Sequence, residues 1–236
     1  MSYAYVGCRT TKERNARGKG LKVFEINDKT GDWNLIQCLK TEEENPSYQT
    51  LDNEGKFLYS VHGDKTKVSS YRILEDGTLS PLNMIDIGGK NPVFITADKT
   101  NHYLIVAALQ GSAVYVIRRN GDGSLGDIVS ETHLPGRKEG SVSFAHQCIW
   151  DQTKTFLFVV TQGRIQGYGQ VLVYRFDAEN GTLTETDCFR SREYDEPRHI
   201  AIHPNNRYAY LINEKGNKMT YFGFDDVNGK LLPRQN

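Results

Sequence analysis

The sequence predicts an all-β fold, a β-propeller made of four-stranded blades. Four segments of this 236-residue chain resemble one another, and each shows the alternating apolar pattern of half-buried strands. Aromatic residues 46, 53 and 52 residues apart mark the same place in the four segments: Phe57, Tyr103, Phe156 and Tyr208. Repeats of four short strands with a period of about fifty residues are typical of propeller blades.

Each segment opens with a hairpin of two strands. The four hairpins read "NPSYQTLDNEGKFLYSVHG" from Asn45, "NPVFITADKTNHYLIVAALQG" from Asn91, "SFAHQCIWDQTKTFLFVVTQG" from Ser143 and "EPRHIAIHPNNRYAYLINEKG" from Glu196. A third strand follows in each, in "VSSYRI", "AVYVIRR", "VLVYRF" and "MTYFGF". A glycine turn then leads to a fourth strand, in "DGTLSPL", "DGSLGDI", "NGTLTET" and "NGKLLPR". Asp-Gly and Asn-Gly turns favour tight hairpins, so each segment is predicted to form one sheet.

The N-terminal segment adds three strands of a further blade, in "YAYVG", "LKVFEI" and "WNLIQC". We therefore predict a single propeller domain over residues 1–236, with units at approximately 1–40, 45–88, 91–132, 143–190 and 196–236. In a closed ring the missing innermost strand would come from the C-terminus, yet "KLLPRQN" matches an outermost strand. We expect incomplete ring closure, with further blades of a longer chain or a partner covering the open sheet edges; a five-bladed ring is the alternative.

Composition argues against several classes of partner. Lysines plus arginines equal aspartates plus glutamates, 29 each, so no nucleic acid or membrane partner is predicted. Apolar runs such as "FLFVV" are too short to span a bilayer, and the N-terminus lacks the apolar core of a signal peptide, which predicts a cytoplasmic protein. The four cysteines have no paired spacing, so neither a disulfide framework nor a zinc site is predicted: Cys8, Cys38, Cys148 and Cys188. No cofactor or metal is expected.

The last hairpin contains the candidate site. Its ends bear Arg198, His199 and Glu214, and a turn centred on Asn205 and Asn206 would place Arg198 opposite Asn213. Since the first strand of a blade lies nearest the central channel, these side chains are predicted at the channel mouth.

The other segments supply a comparison for these positions. One set of aligned positions lies in the first strands: Ser47, Val93, His146 and Arg198. A second set lies at the ends of the second strands: Gly63, Leu109, Gln162 and Glu214. Arg9 aligns with Glu214 in the N-terminal unit. The scaffold therefore tolerates small and apolar residues here, and the charged ones indicate a site in some units alone.

Four phrases connect the sequence with a known family: "YVG" at Tyr5, "NPSY" at Asn45, "FAHQ" at Phe144 and "EPRHIAIHPNNRYAYLINE" at Glu196. In these phrases the chain resembles the lactonase family of seven-bladed propellers, which includes propeller-type 6-phosphogluconolactonases and carboxymuconate cyclases. The resemblance covers essentially the whole chain and implies that about five of seven expected blades are present. One departure is Phe144, which stands where the family phrase has the first histidine of His-Ala-His.

The resemblance implies a metal-independent lactonase of carbohydrate metabolism that acts on a small anionic sugar lactone or sugar acid, such as 6-phosphogluconolactone. Glu214 or His146 would be the base, and Arg198 would bind an anionic group or the oxyanion. The predicted substrate-binding residues are His199, Arg9, Asn213, His62 and Gln147.

Three alternatives stay open at this point. Arg198 and Glu214 form a purely structural ion pair in one of them, with His146 and His199 as structural histidines and Arg9 and His62 merely solvated. The chain is a non-catalytic interaction module in the second. The third is a muconate-type lactonizing cyclase.

Overall fold

The computed structural model describes residues 2–235 and confirms the all-β prediction. Nineteen strands form five antiparallel sheets, four of four strands and a first one of three. The first sheet contains β1 (Ser2–Val6), β2 (Leu21–Ile26) and β3 (Trp33–Leu39), with a short 3-10 helix (Lys12–Arg14) between β1 and β2. The second contains β4 (Pro46–Leu51), β5 (Phe57–His62), β6 (Lys67–Ile73) and β7 (Leu79–Asp86).

The other three sheets repeat this order. The third contains β8 (Pro92–Ala97), β9 (Tyr103–Ala108), β10 (Ala113–Arg119) and β11 (Leu125–His133). The fourth contains β12 (Phe144–Trp150), β13 (Phe156–Gln162), β14 (Gln170–Asp177) and β15 (Thr182–Arg190). The fifth contains β16 (Pro197–Ile202), β17 (Tyr208–Asn213), β18 (Lys218–Asp225) and β19 (Lys230–Gln235).

The sheets pack face to face as blades, with their first strands on the inner side. Strands β4, β8, β12 and β16 contact one another in that order, so they line a common axis. No strand pairing joins the first sheet to the fifth within residues 2–235. Ring closure and its covering partner therefore stay predictions.

Alternation along each second strand explains how one blade binds two neighbours. In β9 all six side chains are buried. Leu104 and Val106 pack into the core shared with the second blade, whereas Tyr103 and Ile105 pack into the core shared with the fourth. Successive side chains point to opposite faces of a strand, so a continuous apolar run fills both cores. Burial of each such side chain stabilises the fold by about 1.5–3 kcal/mol.

Every first strand of the four complete blades contains a β-bulge at the same place. Pairing skips one residue between Pro46 and Tyr48, between Pro92 and Phe94, between Ala145 and Gln147, and between Pro197 and His199. The skipped residues are those that the sequence comparison made equivalent: Ser47, Val93, His146 and Arg198. A bulge leaves its extra residue outside the ladder and redirects its side chain.

The bulge corrects the predicted register of the last hairpin. Asn213 pairs with Pro197 and Ile212 pairs with His199, so Arg198 has no cross-strand partner. The expectation that Arg198 lies opposite Asn213 was wrong by one residue, because it assumed regular pairing. The bulge frees the guanidinium to turn toward the end of β17.

In three of the blades, the residue that precedes the first strand connects that blade to its neighbour. We call Asn45, Asn91 and Glu196 the clasp residues; all have left-handed backbone, with φ of 55°, 59° and 53°. Their carbonyl oxygens accept the N–H groups that follow the second strands of their own blades. Their side chains accept backbone N–H groups of the preceding blade. The channel ends of the blades are therefore fixed relative to one another.

Candidate functional site

The centre of the candidate site is an ion pair between the two ends of the last hairpin. Arg198 Nη1 donates to Glu214 Oε2 over 2.6 Å, and the two side chains are 41% and 45% exposed. The bulge orients Arg198, while Glu214 is fixed through its own N–H, which donates to the carbonyl of Glu196 over 2.8 Å. The prediction that Arg198 and Glu214 lie together is confirmed by these contacts.

A second blade contributes Gln162, the last residue of β13. Its Nε2 donates to the same Glu214 Oε2 over 2.6 Å. Within residues 2–235, no hydrogen bond reaches Glu214 Oε1. One carboxylate oxygen is thus fixed by two donors, and the other remains able to accept a hydrogen bond from a ligand or water.

Two histidines lie beside this carboxylate. The rings of His146 and His199 meet edge to face, with centroids 5.1 Å apart at 63°. Nδ1 of His146 is buried and has no hydrogen-bond partner among the described residues. A buried imidazole nitrogen without a protein partner can form a hydrogen bond with a water molecule or a ligand.

Burial and the neighbouring charges set the protonation states of the site. Burial, followed by Arg198 and His199, lowers the pKa of His146 to about 4, against a smaller opposing effect of Glu214. Burial and Arg198 also lower the pKa of His199. The hydrogen bond from Arg198 lowers the pKa of Glu214, assisted by Gln162. At neutral pH the site therefore holds a carboxylate and, at His146, a neutral imidazole.

Arg164, in the loop after β13, completes the group. Its Nε and Nη2 donate to Gln162 Oε1 over 3.2 and 3.0 Å, and its guanidinium lies over the Phe144 ring, 4.9 Å from the centroid. The clasp residue Glu196 accepts the N–H groups of Gly163 and Arg164 over 3.0 and 2.9 Å. The sequence comparison did not identify Arg164 and Glu196 as site residues. The available signal was Gln162, which aligns with Glu214 and lies two residues before Arg164.

Three of the predicted substrate-binding residues lie inside the packing of the blades. His62 is fully buried, with its ring nitrogens 2.9 Å from the Glu44 carbonyl and 2.7 Å from Ser69 Oγ. Asn213 is 1% exposed and donates to Thr220 Oγ1. Their assignment as substrate contacts is corrected, because alternate strand residues face the neighbouring blade rather than the channel.

Gln147, also predicted to bind substrate, connects two first strands. Its Oε1 accepts the N–H of Ile200 over 2.7 Å, and the residue is buried. This assignment is corrected for the same reason: the bulge at His146 places the next residue against the fifth blade.

Arg9 is held by another carboxylate. Its Nη1 donates to Asp64, which also binds Arg14, so the first and second blades are joined by this ion cluster. Arg9 lies next to the bulge residue Ser47. Ser47 and Arg198 occupy equivalent bulges in their blades, so Arg9 lies at the same channel mouth as Arg198. The structure places it against Asp64 rather than in the group around Glu214.

The family model described as "Lactonase, 7-bladed beta-propeller" matches residues 3–236. The chain belongs to this lactonase family. It is 27% identical over 249 residues to a 6-phosphogluconolactonase of Formosa agariphila, covering 98% of this chain and 67% of that protein. A Bacillus subtilis 6-phosphogluconolactonase is 26% identical over 193 residues, covering 79% of this chain and 54% of the relative.

Solved structures of other proteins show the same fold. The periplasmic gluconolactonase of Pseudomonas aeruginosa superposes with a TM-score of 0.84 at 22% identity, covering 99% of this chain and 67% of that one. A Lactobacillus plantarum protein gives a TM-score of 0.83 at 20% identity, covering 99% and 66%. This lactonase-family chain thus spans about two thirds of the length of such relatives.

Residues 2–235 contain neither a metal-binding cluster of side chains nor a membrane-spanning helix. No group of three or more His, Cys, Asp or Glu side chains is arranged to hold a metal ion in that part of the lactonase-family chain. None of the helices described there is long and apolar enough to cross a membrane.

Proposed function

We propose that this lactonase-family chain hydrolyses a small anionic sugar lactone, such as 6-phosphogluconolactone, without a metal ion. One observation carries the proposal: Arg198 and Gln162 both bind Oε2 of Glu214, which leaves Oε1 open beside His146. The names of the Formosa and Bacillus relatives support this substrate. The site provides the base and the cation that opening of a lactone ring requires.

Glu214 is the general base in this proposal. A water molecule attacks the lactone carbonyl carbon and loses a proton to Oε1 of Glu214. Neutral His146 accepts a hydrogen bond from the same water and fixes its direction. Because Oε2 is bound by two donors, the carboxylate cannot rotate away from the water. General base catalysis of this kind contributes about 100- to 10,000-fold to the rate.

Arg198 stabilises the negative charge that develops on the carbonyl oxygen. A guanidinium has five N–H donors, and Arg198 uses one on Glu214, so others remain for the oxyanion. The tetrahedral intermediate then collapses, and the bond between the carbonyl carbon and the ring oxygen breaks. The ring oxygen takes the proton back from Glu214 and leaves as a hydroxyl group. The product is the open-chain hydroxy acid.

The test is hydrolysis of 6-phosphogluconolactone by the purified chain and by three variants. We expect Glu214→Gln, His146→Gln and Arg198→Ala each to lower kcat/KM about 100-fold or more. Glu75→Gln, an exposed carboxylate outside the site, is the matched control. Activity should fall only below about pH 5, because Glu214 and His146 act unprotonated and both have lowered pKa values. Unchanged activity in Glu214→Gln and Arg198→Ala would exclude this site.

Cytoplasmic residence is also part of the proposal. The Pseudomonas relative is described as periplasmic, and that compartment is the alternative location. Fractionation of cells that express the chain, with compartment marker enzymes, distinguishes the two locations.

A further inference from the structure

We propose that Arg164 binds a second anionic group of the substrate, a phosphate or carboxylate remote from the reacting carbonyl. The inference rests on the proposed function, because it names another contact in the same site. It adds a specificity-determining guanidinium that the sequence comparison did not identify.

The guanidinium of Arg164 adjoins the hydrogen bonds that fix Glu214. Arg164 is joined to Glu214 through one side chain, since Gln162 accepts from Arg164 at Oε1 and donates to Glu214 from Nε2. Arg164 is therefore one amide away from the proposed base. Its Nη1 makes no hydrogen bond within residues 2–235, so donors remain for a ligand.

Positive charge exceeds negative charge on the open side of this group. The open side of the group contains two guanidinium groups, Arg164 and Arg198, and one carboxylate, Glu214. The other nearby carboxylate, Glu196, is 4% exposed and faces backbone N–H groups. One positive charge on the open side is thus left for an anion. A planar guanidinium suits phosphate and carboxylate because it can donate two parallel hydrogen bonds.

Arg164 is also fixed in place by its own loop and by the neighbouring blade. Its backbone and that of Ile165 are left-handed, with φ of 43° and 79°, an arrangement that non-glycine residues rarely adopt. Glu196 holds this strained backbone through two hydrogen bonds. Strain that the surrounding structure maintains is found preferentially at ligand sites. On this fixed backbone, the two hydrogen bonds to Gln162 orient the guanidinium before a ligand arrives, which lowers the entropic cost of binding.

Phe144 gives the fixed guanidinium a flat support. The ring lies under Arg164, with 4.9 Å between the guanidinium carbon and the ring centroid. This residue replaces the first histidine of the His-Ala-His phrase, and a phenyl ring cannot carry a proton. We therefore assign Phe144 as a positioning residue for Arg164.

The experiment measures binding directly and does not depend on turnover. Isothermal titration compares three open-chain sugar acids: gluconate with one carboxylate, glucarate with two, and 6-phosphogluconate with a carboxylate and a phosphate. We expect the wild-type chain to bind at least one of the two doubly anionic ligands more tightly than gluconate. Arg164→Ala should lower the affinity for that ligand about 10- to 100-fold and change the affinity for gluconate by no more than about twofold. Whether glucarate or 6-phosphogluconate is preferred distinguishes carboxylate from phosphate.

Two further variants make the result specific. Arg175→Ala removes the same charge and the same kind of stack, over Phe156, at the other end of the fourth blade, and should leave all three affinities unchanged. Phe144→Leu should reduce the preference for the doubly anionic ligand about two- to fivefold at unchanged thermal stability.

The inference fails if Arg164→Ala binds all three acids as wild type does, or if wild type shows no preference for a second anionic group. Loss of that preference in Arg164→Ala without any lactone hydrolysis would support Arg164 and refute the proposed function. Lactone hydrolysis by the wild-type chain, together with unchanged binding in Arg164→Ala, would support the proposed function and refute the role of Arg164.

Discussion

His146 shows how the protein keeps a histidine neutral at physiological pH. Its bulge position takes the residue out of the ladder between β12 and β13. Its surroundings then supply burial, Arg198 and His199, which all disfavour the imidazolium form. With a pKa of about 4, the imidazole is neutral at pH 7 and one of its ring nitrogens can accept a hydrogen bond. No proton has to be removed from His146 before it does so.

This lowered pKa predicts an acid-sensitive contribution to stability. An unfolded histidine takes up a proton below about pH 6.5, whereas folded His146 does so only below about pH 4. Between these values the unfolded state binds more protons, so the free energy of unfolding falls as the pH falls. Because the side chain is partly exposed, we expect a loss of about 1–2 kcal/mol over this interval.

Urea unfolding of wild type and His146→Gln at pH 7, 5.5 and 4 measures the effect. The glutamine variant should show a shallower loss of stability with acidification. The exposed His102→Gln variant is the control and should follow wild type. Parallel stability curves for wild type and His146→Gln would show that His146 titrates normally.

At the scale of elements, the clasp residues explain how a bulged first strand is attached to the blade before it. Asn45 and Asn91 use an amide oxygen for this contact, and Glu196 uses a carboxylate with both oxygens bonded. All three adopt left-handed backbone, which asparagine tolerates better than glutamate. Glu196 thus adopts a conformation that its residue type disfavours, and its two accepted hydrogen bonds offset that cost.

We predict that Glu196→Ala lowers the free energy of unfolding by about 2 kcal/mol or more, because two backbone N–H groups lose their acceptor in a buried place. Glu196→Asn introduces the residue type of the other two clasp positions, and the free energy of unfolding should fall by less than in Glu196→Ala. Glu193→Ala, an exposed partner of Arg137, should change stability by less than about 1 kcal/mol. Urea unfolding decides the order of the variants. Equal losses in Glu196→Ala and Glu193→Ala would show that the clasp contributes nothing.

The elements were easier to predict from the sequence than the contacts between them. Period-two alternation and glycine turns repeat locally, so the strands of five blades could be assigned from short windows. A bulge adds one residue without changing the apolar pattern visibly, and for that reason the pairing of Arg198 was misplaced. Arg164 contacts Phe144 because the loop after β13 folds back over its own blade. No sequence periodicity records such a contact.

A contact between the second and fourth blades goes beyond the packing of neighbouring blades. Blades that touch only their neighbours give a chain of nearest-neighbour interactions. Lys154, in the turn between β12 and β13, extends further: its Nζ donates to the Ala97 carbonyl in the third blade and to Asn53 Oδ1 in the second, over 3.1 and 2.5 Å. One side chain thus connects three consecutive blades at the end of the channel opposite Glu214.

The backbone at Lys154 makes this connection testable. Equivalent turn positions in the other complete blades hold Gly55, Asn101 and Asn206, and all four residues have φ between 55° and 67°. Glycine and asparagine suit this left-handed conformation, whereas lysine does not. On backbone preference alone, Lys154→Asn should therefore stabilise the protein by up to about 1 kcal/mol.

We predict the opposite: Lys154→Asn should lower the free energy of unfolding by about 1 kcal/mol, because the loss of two charge-assisted hydrogen bonds outweighs the relief of strain. Lys154→Met, which loses the bonds without that relief, should lower it by about 2 kcal/mol. Lys99→Asn and Lys99→Met, at an exposed lysine of the third blade, are the matched controls and should stay within about 0.5 kcal/mol. Urea unfolding gives these values, and hydrogen exchange in β4 and β12 shows whether the second and fourth blades lose protection together. A Lys154→Asn variant more stable than wild type would mean that backbone strain dominates and that the connection across three blades contributes no stability.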